Sequence, residues 1–207
     1  MSNVCLTTVR ITGDSDKMRE FSSKMNMWTK ITKPSLTGKT DSTWLGNLAA
    51  WAGILKDPIE EPKGFGLRGS IADLDYDGSS ELRIDIEDAW TPHVAIIDAI
   101  CEKELKDYQL TFDAYEPGFN ICVTNDTDMI GTWLVDNWDD VPFVSLMVGD
   151  EGWSVKEDVV RVMLESMFTQ IASGCSMETL LEEFNDSDFA QGCSIHRWTY
   201  CEPQACN

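Results

Sequence analysis

Residues 67–90 have the sequence LRGSIADLDYDGSSELRIDIEDAW, which carries the clearest signal for the fold. Residues 67–74 and 82–90 are strand-like runs that alternate apolar and polar side chains, and this pattern predicts two β-strands. Between them, residues 75–80 contain the pair Asp77-Gly78, a strong signal for a tight turn. This part of the chain is therefore predicted to form a β-hairpin.

The segments on both sides of the hairpin supply further strands and two helices. Residues 4–13 alternate as a strand, and Asp14 or Ser15 can cap the helix that follows. After the hairpin the pattern predicts a helix and two strands, at residues 91–105, 108–115 and 119–123. The order β-α-insert-β-β-α-β, with one extra strand, is typical of an α+β, ferredoxin-like split βαβ fold, in which an antiparallel sheet carries two helices on one face.

A Trp/Gly-rich insert interrupts this order at about residues 26–66. It contains a short apolar helix that Asp41 or Ser42 is predicted to cap. With this insert, the ferredoxin-like domain is predicted to span residues 1–126.

The remainder of the chain, residues 127–207, is predicted to be an acidic α/β extension, mainly helical, that packs on the first domain. Residues 142–148 have the composition of a strand. Ser154 and Glu157 have the spacing of a capping box, and the helix that they start is expected to end at Gly174. Ser176 is expected to cap a second helix.

Short motifs in the first domain resemble a known family. They are residues 9–13, 89–92 and 115–118, together with the tripeptides Trp44-Leu45-Gly46 and Trp51-Ala52-Gly53 in the insert. Together they resemble the YubB-type ferredoxin-like domain family of plasmids, phages and other mobile elements, over about residues 3–125. The resemblance implies a ferredoxin-like fold and a mobile-element origin, and it transfers no catalytic residues.

The charge of the chain is unevenly distributed. The net charge is −20, yet residues 1–63 contain nine Lys and Arg against seven Asp and Glu, whereas residues 64–207 contain seven against 29. This balance argues against direct binding of nucleic acid through a basic face. Since such an excess repels itself in the folded state, we expect it to serve a purpose. One purpose is to imitate the phosphates of duplex DNA toward a basic protein; the simpler alternative is a solvated acidic surface.

The most acidic stretch is residues 126–151, with seven Asp and Glu and neither Lys nor Arg. Trp133 and Trp138 lie in this stretch, which is predicted to be mostly loop, and they are candidates for exposed aromatic anchors at a protein interface. The candidate partner-binding residues are therefore Asp126, Asp128, Trp133, Asp136, Trp138, Asp139, Asp140, Asp150 and Glu151.

Asp73, Asp75 and Asp77 begin a D-x-D-x-D-G pattern similar to a calcium loop. The twelfth position is Ile84 instead of Glu, and strands replace the flanking helices. Acidic residues in a turn are therefore the favoured interpretation, and weak divalent-ion binding is the alternative.

Cys193, His196, Cys201 and Cys206 could in principle supply four ligands to zinc. Their spacing matches no zinc module, so free or buried thiols are favoured, and no cofactor is predicted.

Catalytic motifs are scarce. The chain has two His, and it contains no G-x-S-x-G, Walker A or G-x-G-x-x-G sequence in a suitable context. Glu116, beside the turn at Pro117-Gly118, is expected to be exposed.

We therefore expect a non-enzymatic acidic binding protein of a mobile element, acting as a DNA-mimic inhibitor of a host nucleic-acid-directed defence enzyme. A small-ligand-binding protein or enzyme with a site between the sheet and the Trp-rich insert is one alternative, and a structural or self-assembling protein is another.

The location expected from the sequence is the cytoplasm. The first residues do not resemble a secretory signal, and no run of 18 apolar residues is present. Seven sparsely spaced Cys, an odd number, favour reduced thiols.

Overall fold

The computed structural model describes residues 4–31, 42–55, 68–119, 121–136, 154–168, 174–191 and 193–205. The chain divides into two compact units, Met1–Asp126 with Cys201–Asn207, and Thr127–Tyr200. The terminal segment from Cys201 belongs to the first unit, so the prediction that all of residues 127–207 form the extension is wrong for this segment. The predicted strand at 142–148 lies outside the described residues.

The first unit is a mixed α+β structure built on an antiparallel sheet. Its strands are β1 (Val4–Gly13), β2 (Ser70–Tyr76), β3 (Glu81–Ala89), β4 (Tyr108–Glu116) and β5 (Ile121–Thr124). They lie in the order β2-β3-β1-β4-β5, and each neighbouring pair is antiparallel. Its helices are α1 (Ser15–Trp28), α2 (Leu45–Trp51) and α3 (Val94–Glu104).

The strand pleat separates an apolar inner face from an outer face. In β1, Cys5, Val9 and Ile11 are fully buried, whereas Leu6 between them is 51% exposed. The inner residues form one core with apolar side chains of the three helices. Asp14 caps α1 by accepting a hydrogen bond from the Lys17 amide, as the sequence predicts.

The Trp/Gly-rich insert is held by close packing and by hydrogen bonds. A Cβ on Gly46 would lie 2.4 Å from the indole of Trp44, so only glycine fits beneath this ring. The Asn47 amide and the Trp51 indole both donate to the Ile31 carbonyl oxygen, each at 2.9 Å. Trp44 occupies the N-cap position of α2 without a side-chain hydrogen bond, so the predicted cap at Asp41 or Ser42 is wrong.

The second unit contains two helices and short strands. They are β6 (Trp133–Asp136), α4 (Glu157–Met167), α5 (Met177–Asn185), β7 (Ser194–Arg197) and β8 (Thr199–Tyr200). Ser176 caps α5 through the Thr179 amide, as predicted. Lys156, and not Ser154, is the N-cap of α4, and this helix ends at Met167 instead of Gly174.

Strand β6 was not predicted, because its residues lie in a stretch whose acidity indicated a loop. It pairs with β7 in an antiparallel ladder in which Leu134 faces His196 and Val135 faces Ile195. Among the described residues, the structure has five α-helices, and none is both long enough and apolar enough to span a membrane.

Candidate functional site

The predicted acidic site is described only in part. Asp128 is exposed, and Asp126 and Asp136 are half-buried. Trp138 and the other acidic candidates lie outside the described residues. These acidic candidates are Asp139, Asp140, Asp150 and Glu151.

Trp133 is not an exposed anchor, so that expectation is wrong. The residue is 5% exposed because it lies in β6 and packs in the core of the second unit. Its backbone pairs with Val155, and the Arg197 guanidinium lies 5.8 Å from the centre of its ring. Its aromatic surface is therefore used inside the unit.

A second acidic surface, which charge counting along the sequence does not locate, lies on the outer face of the first unit's sheet. We call it the acidic sheet face and define it by Asp73 and Asp75 on β2 and Asp85 and Glu87 on β3. Asp73 pairs with Asp85 across the strands, and Asp75 follows Asp73 on the same face, about 6.6 Å along the strand. Directly opposed like charges are unfavourable unless something compensates them.

Only part of this charge is compensated within the described residues. The Arg83 guanidinium forms an ion pair with Asp85 at 2.9 Å, and Thr8 donates to the same carboxylate at 2.8 Å. Arg10, also on the outer face, pairs with the buried Asp113. In the described part of the chain, Asp73, Asp75 and Glu87 form no ion pair. Asp75 is directly opposite Arg83, but the guanidinium of that residue pairs with Asp85, so the three carboxylates can still meet an external cation.

Exposed apolar side chains lie at one end of the same sheet. We call Val4, Leu6 and Trp90 the apolar corner; they are 39%, 51% and 53% exposed. Leu6 is directly opposite Glu87, and Val4 is opposite Ala89, the residue before Trp90. The Arg68 guanidinium lies 5.5 Å from the centre of the Trp90 ring. The corner thus adjoins the acidic sheet face.

A buried polar cluster in the described part of the first unit centres on Asp88. Its Oδ2 accepts hydrogen bonds from the Thr7 hydroxyl at 3.0 Å and from the His93 amide at 3.1 Å, and its Oδ1 lies 3.0 Å from His93 Nδ1. The side chains of Asp88 and His93 are 0% and 5% exposed. The cluster connects β1 and β3 to the start of α3.

This Asp-His pair resembles part of a hydrolytic triad, but its surroundings do not favour catalysis. The nearby Cys5 is fully buried, and burial, followed by the charges of Asp88 and Glu116, raises the pKa of its thiol to about 12. Such a thiol is protonated at neutral pH and is a poor nucleophile. Glu116 itself is 2% exposed, so the expectation that it is exposed is wrong. The cluster is therefore best explained as structural.

An open cleft of about 630 Å³ lies at the opposite end of β1, lined by residues 12–14, 80 and 106–109. Its charged side chains, Asp14, Lys106 and Asp107, are all exposed. Water screens such groups strongly, so they offer little electrostatic selectivity.

On the insert side of the sheet, Leu45, Leu48 and Ala49 are fully buried in the core, so the described part of the insert packs tightly there.

The structure gives one residue of each predicted metal motif another role. The Asp77 carboxylate accepts hydrogen bonds from the Ser79 amide at 2.7 Å and the Glu81 amide at 3.1 Å, so it stabilises the hairpin turn. Cys201 is bonded in a disulfide, which removes it as a zinc ligand and contradicts the expectation that all the thiols are reduced. Cys193 is buried in the core of the second unit, and Cys206 lies outside the described residues. Over the described residues, no group of three or more His, Cys, Asp or Glu could hold a metal ion.

Sequence periodicity carries a signal for the buried Asp88 cluster and for the acidic sheet face. In residues 82–88 the apolar residues Leu82, Ile84 and Ile86 occupy alternate positions, and Asp88 is in phase with them while Glu87 is out of phase. A carboxylate in the apolar phase predicts a buried acid with partners, and one in the other phase predicts a surface charge.

Comparison of the chain with protein-family models, with curated proteins and with solved structures finds no match.

Proposed function

We propose that this protein is a non-enzymatic acidic binding protein that acts as a DNA mimic, inhibiting a nucleic-acid-directed defence enzyme by occupying its basic groove. The observation that carries the proposal is the distribution of charge. The acidic excess lies entirely in residues 64–207, and the described surface there includes carboxylates that no internal cation neutralises. Uncompensated charge raises the free energy of the folded protein, so it is best explained by a benefit in binding.

The arrangement of the carboxylates supports this proposal. On a strand, side chains of one face repeat about every 6.6 Å, and neighbouring strands lie about 4.8 Å apart. The acidic sheet face therefore holds its charges in a rigid array, and a rigid array loses little conformational entropy on binding. A basic groove evolved for phosphates would attract such an array at long range and at a high association rate.

We also propose that the first unit has the ferredoxin-like fold and comes from a mobile element. The order β2-β3-β1-β4, with α1 after β1 and α3 after β3, supports the fold assignment. The mobile-element origin is supported only by the resemblance of the short motifs, among them Trp44-Leu45-Gly46, where Gly46 lies against the Trp44 ring.

The experiment is capture followed by inhibition. The full chain is immobilised, and nucleic-acid-binding proteins from a bacterial extract are bound at about 50 mM salt and eluted at about 200 mM salt or with duplex DNA. Beads that carry polyglutamate are the control for simple ion exchange. We expect a DNA-acting enzyme that the protein retains, that polyglutamate does not retain and that duplex DNA displaces. The free protein should inhibit this enzyme on DNA. The proposal is wrong if duplex DNA displaces none of the retained proteins, or if the displaced enzymes keep full activity with the protein added.

A further inference from the structure

We propose that a basic protein partner docks on the outer face of the first unit's sheet, with an apolar side chain against the apolar corner and Lys or Arg against Asp73, Asp75 and Glu87. This inference rests on the proposed binding function and deepens it, because it names the surface and the chemistry of the partner. It also moves the interface from residues 126–151, the site expected from the sequence, to strands β1, β2 and β3.

The apolar corner has the composition of an interface hot spot. Trp and Arg are enriched at positions that dominate binding energy, and here the Arg68 guanidinium lies over the Trp90 ring. Trp90 has a backbone φ of +79°, a conformation that is costly for a bulky residue. The fold thus keeps a large aromatic side chain 53% exposed at a strained position. A role for this side chain in contact with a partner explains both features.

The charges beside the corner identify the partner as basic. Glu87 is directly opposite Leu6, so one side chain of a partner could contact the leucine while a neighbouring cation meets the carboxylate. Asp73 and Asp75 extend the same negative surface along β2. Two other carboxylates of this face, Asp85 and Asp113, already have Arg83 and Arg10 as partners. A second copy of this chain is disfavoured as the occupant because each copy carries a net charge of −20.

The partner is expected to meet the face of the sheet and not its edge. Ser70, the first residue of edge strand β2, forms an antiparallel β-bridge with Trp44. A register shift follows in the same strand between Ile71 and Asp73. Charged side chains and bulges on an edge strand prevent the addition of another strand. The exposed surface that remains for docking is therefore the row formed by Leu6 and Glu87 and the carboxylates next to it.

The test uses a phage-displayed random peptide library as the probe, selected on the immobilised full chain at about 150 mM salt. We expect the selected peptides to combine Lys or Arg with an aromatic or aliphatic residue. Their affinity is then measured by fluorescence polarisation for the natural sequence and for four variants. Two variants change the corner, Leu6→Ser and Trp90→Ala. The third, Asp73→Asn with Asp75→Asn and Glu87→Gln, removes three charges from the face. The fourth, Glu102→Gln with Glu182→Gln and Glu183→Gln, removes three exposed charges elsewhere.

Each corner variant and the variant of the sheet face should weaken binding by about tenfold or more, and the matched variant by less than about threefold. Circular dichroism confirms that each variant is folded. Equal losses for the two triple variants would mean that only net charge matters, and the docking surface would be wrong. A library that yields no such peptides would overturn it too. Neither result bears on displacement by duplex DNA, so the proposed function is tested separately.

Discussion

Glu87 and Asp88 are consecutive acidic residues of one strand, yet the pleat gives them opposite environments. Asp88 points into the core and makes hydrogen bonds with Thr7 and with both the backbone and the ring of His93. Glu87 is exposed and forms no ion pair with the described residues. The comparison shows that the same chemical group serves either as an internal connection or as surface charge, and that strand phase alone decides which.

The largest difference is expected when each carboxylate is removed. Asp88→Ala leaves three buried groups without their acceptor and should lower the free energy of unfolding by about 3 kcal/mol. Glu87→Gln should change it by less than about 0.5 kcal/mol, because the side chain is exposed. Urea denaturation followed by circular dichroism measures both values. Similar losses for the two variants would contradict the assignment of separate roles.

A smaller loss is expected when the packing around Asp88 is disturbed. A Cβ on Gly69 would lie 2.0 Å from Asp88 Oδ1, which Thr7 and His93 hold in place through the same carboxylate. Gly69→Ala should therefore cost about 2 kcal/mol of stability. Gly13→Ala is the control, since its Cβ would meet the end of the flexible Met18 side chain at 3.3 Å. If the two substitutions have equal effects on urea denaturation, the carboxylate is not as rigid as described.

On the outer face, we expect stability and binding to separate at Trp90. Trp90→Gly and Trp90→Ala both remove the indole, but only glycine adopts the positive φ without strain. The glycine variant should therefore be more stable than the alanine variant by about 1 kcal/mol in thermal or urea unfolding. Both should lose affinity for the selected peptides. A glycine variant no more stable than the alanine variant would show that the backbone at this position is unstrained.

The smallest effect is expected at Asp77, which is exposed like Glu87 but hydrogen-bonded like Asp88. Hydrogen bonds from the Ser79 amide and hydroxyl and from the Glu81 amide lower its pKa below the ordinary value of about 3.8. A lowered pKa means that the stabilisation is complete above about pH 3.8 and is lost as the pH falls through the lowered value. The stability advantage over Asp77→Ala should therefore narrow in acid. An advantage that is constant from pH 6 to about pH 2.5 would contradict this assignment.

The local structure of the first unit is largely predictable, because strands, caps and turns depend on neighbours in sequence. The alternation around Asp77-Gly78 predicts the hairpin, and Asp14 caps α1 as expected. Long-range packing is not predictable in the same way. Glu116 is buried although it precedes a turn, and Trp133 is buried because β6 pairs with a strand some sixty residues later.

The candidate site shows the same division. Charge counting indicates an acidic surface, but it cannot separate carboxylates that already have an arginine from those that do not. Arg83 is two residues from Asp85 on the same strand and directly opposite Asp75 across the strands, and only the structure shows that its guanidinium pairs with Asp85. Likewise, nothing in the composition indicates that Leu6 lies next to Glu87.

The segment that begins at Cys201 affects when the first unit is completed during synthesis. The Cys201 amide donates to the Thr124 carbonyl oxygen, and the Gln204 amide donates to Asp98, so residues made after the second unit complete the first unit. On the ribosome, the first unit must wait for residues 127–200 before it gains these bonds. Emergence of residues 201–205 from the ribosome, and not emergence of residue 126, should therefore mark the point at which this unit reaches its full resistance to proteolysis.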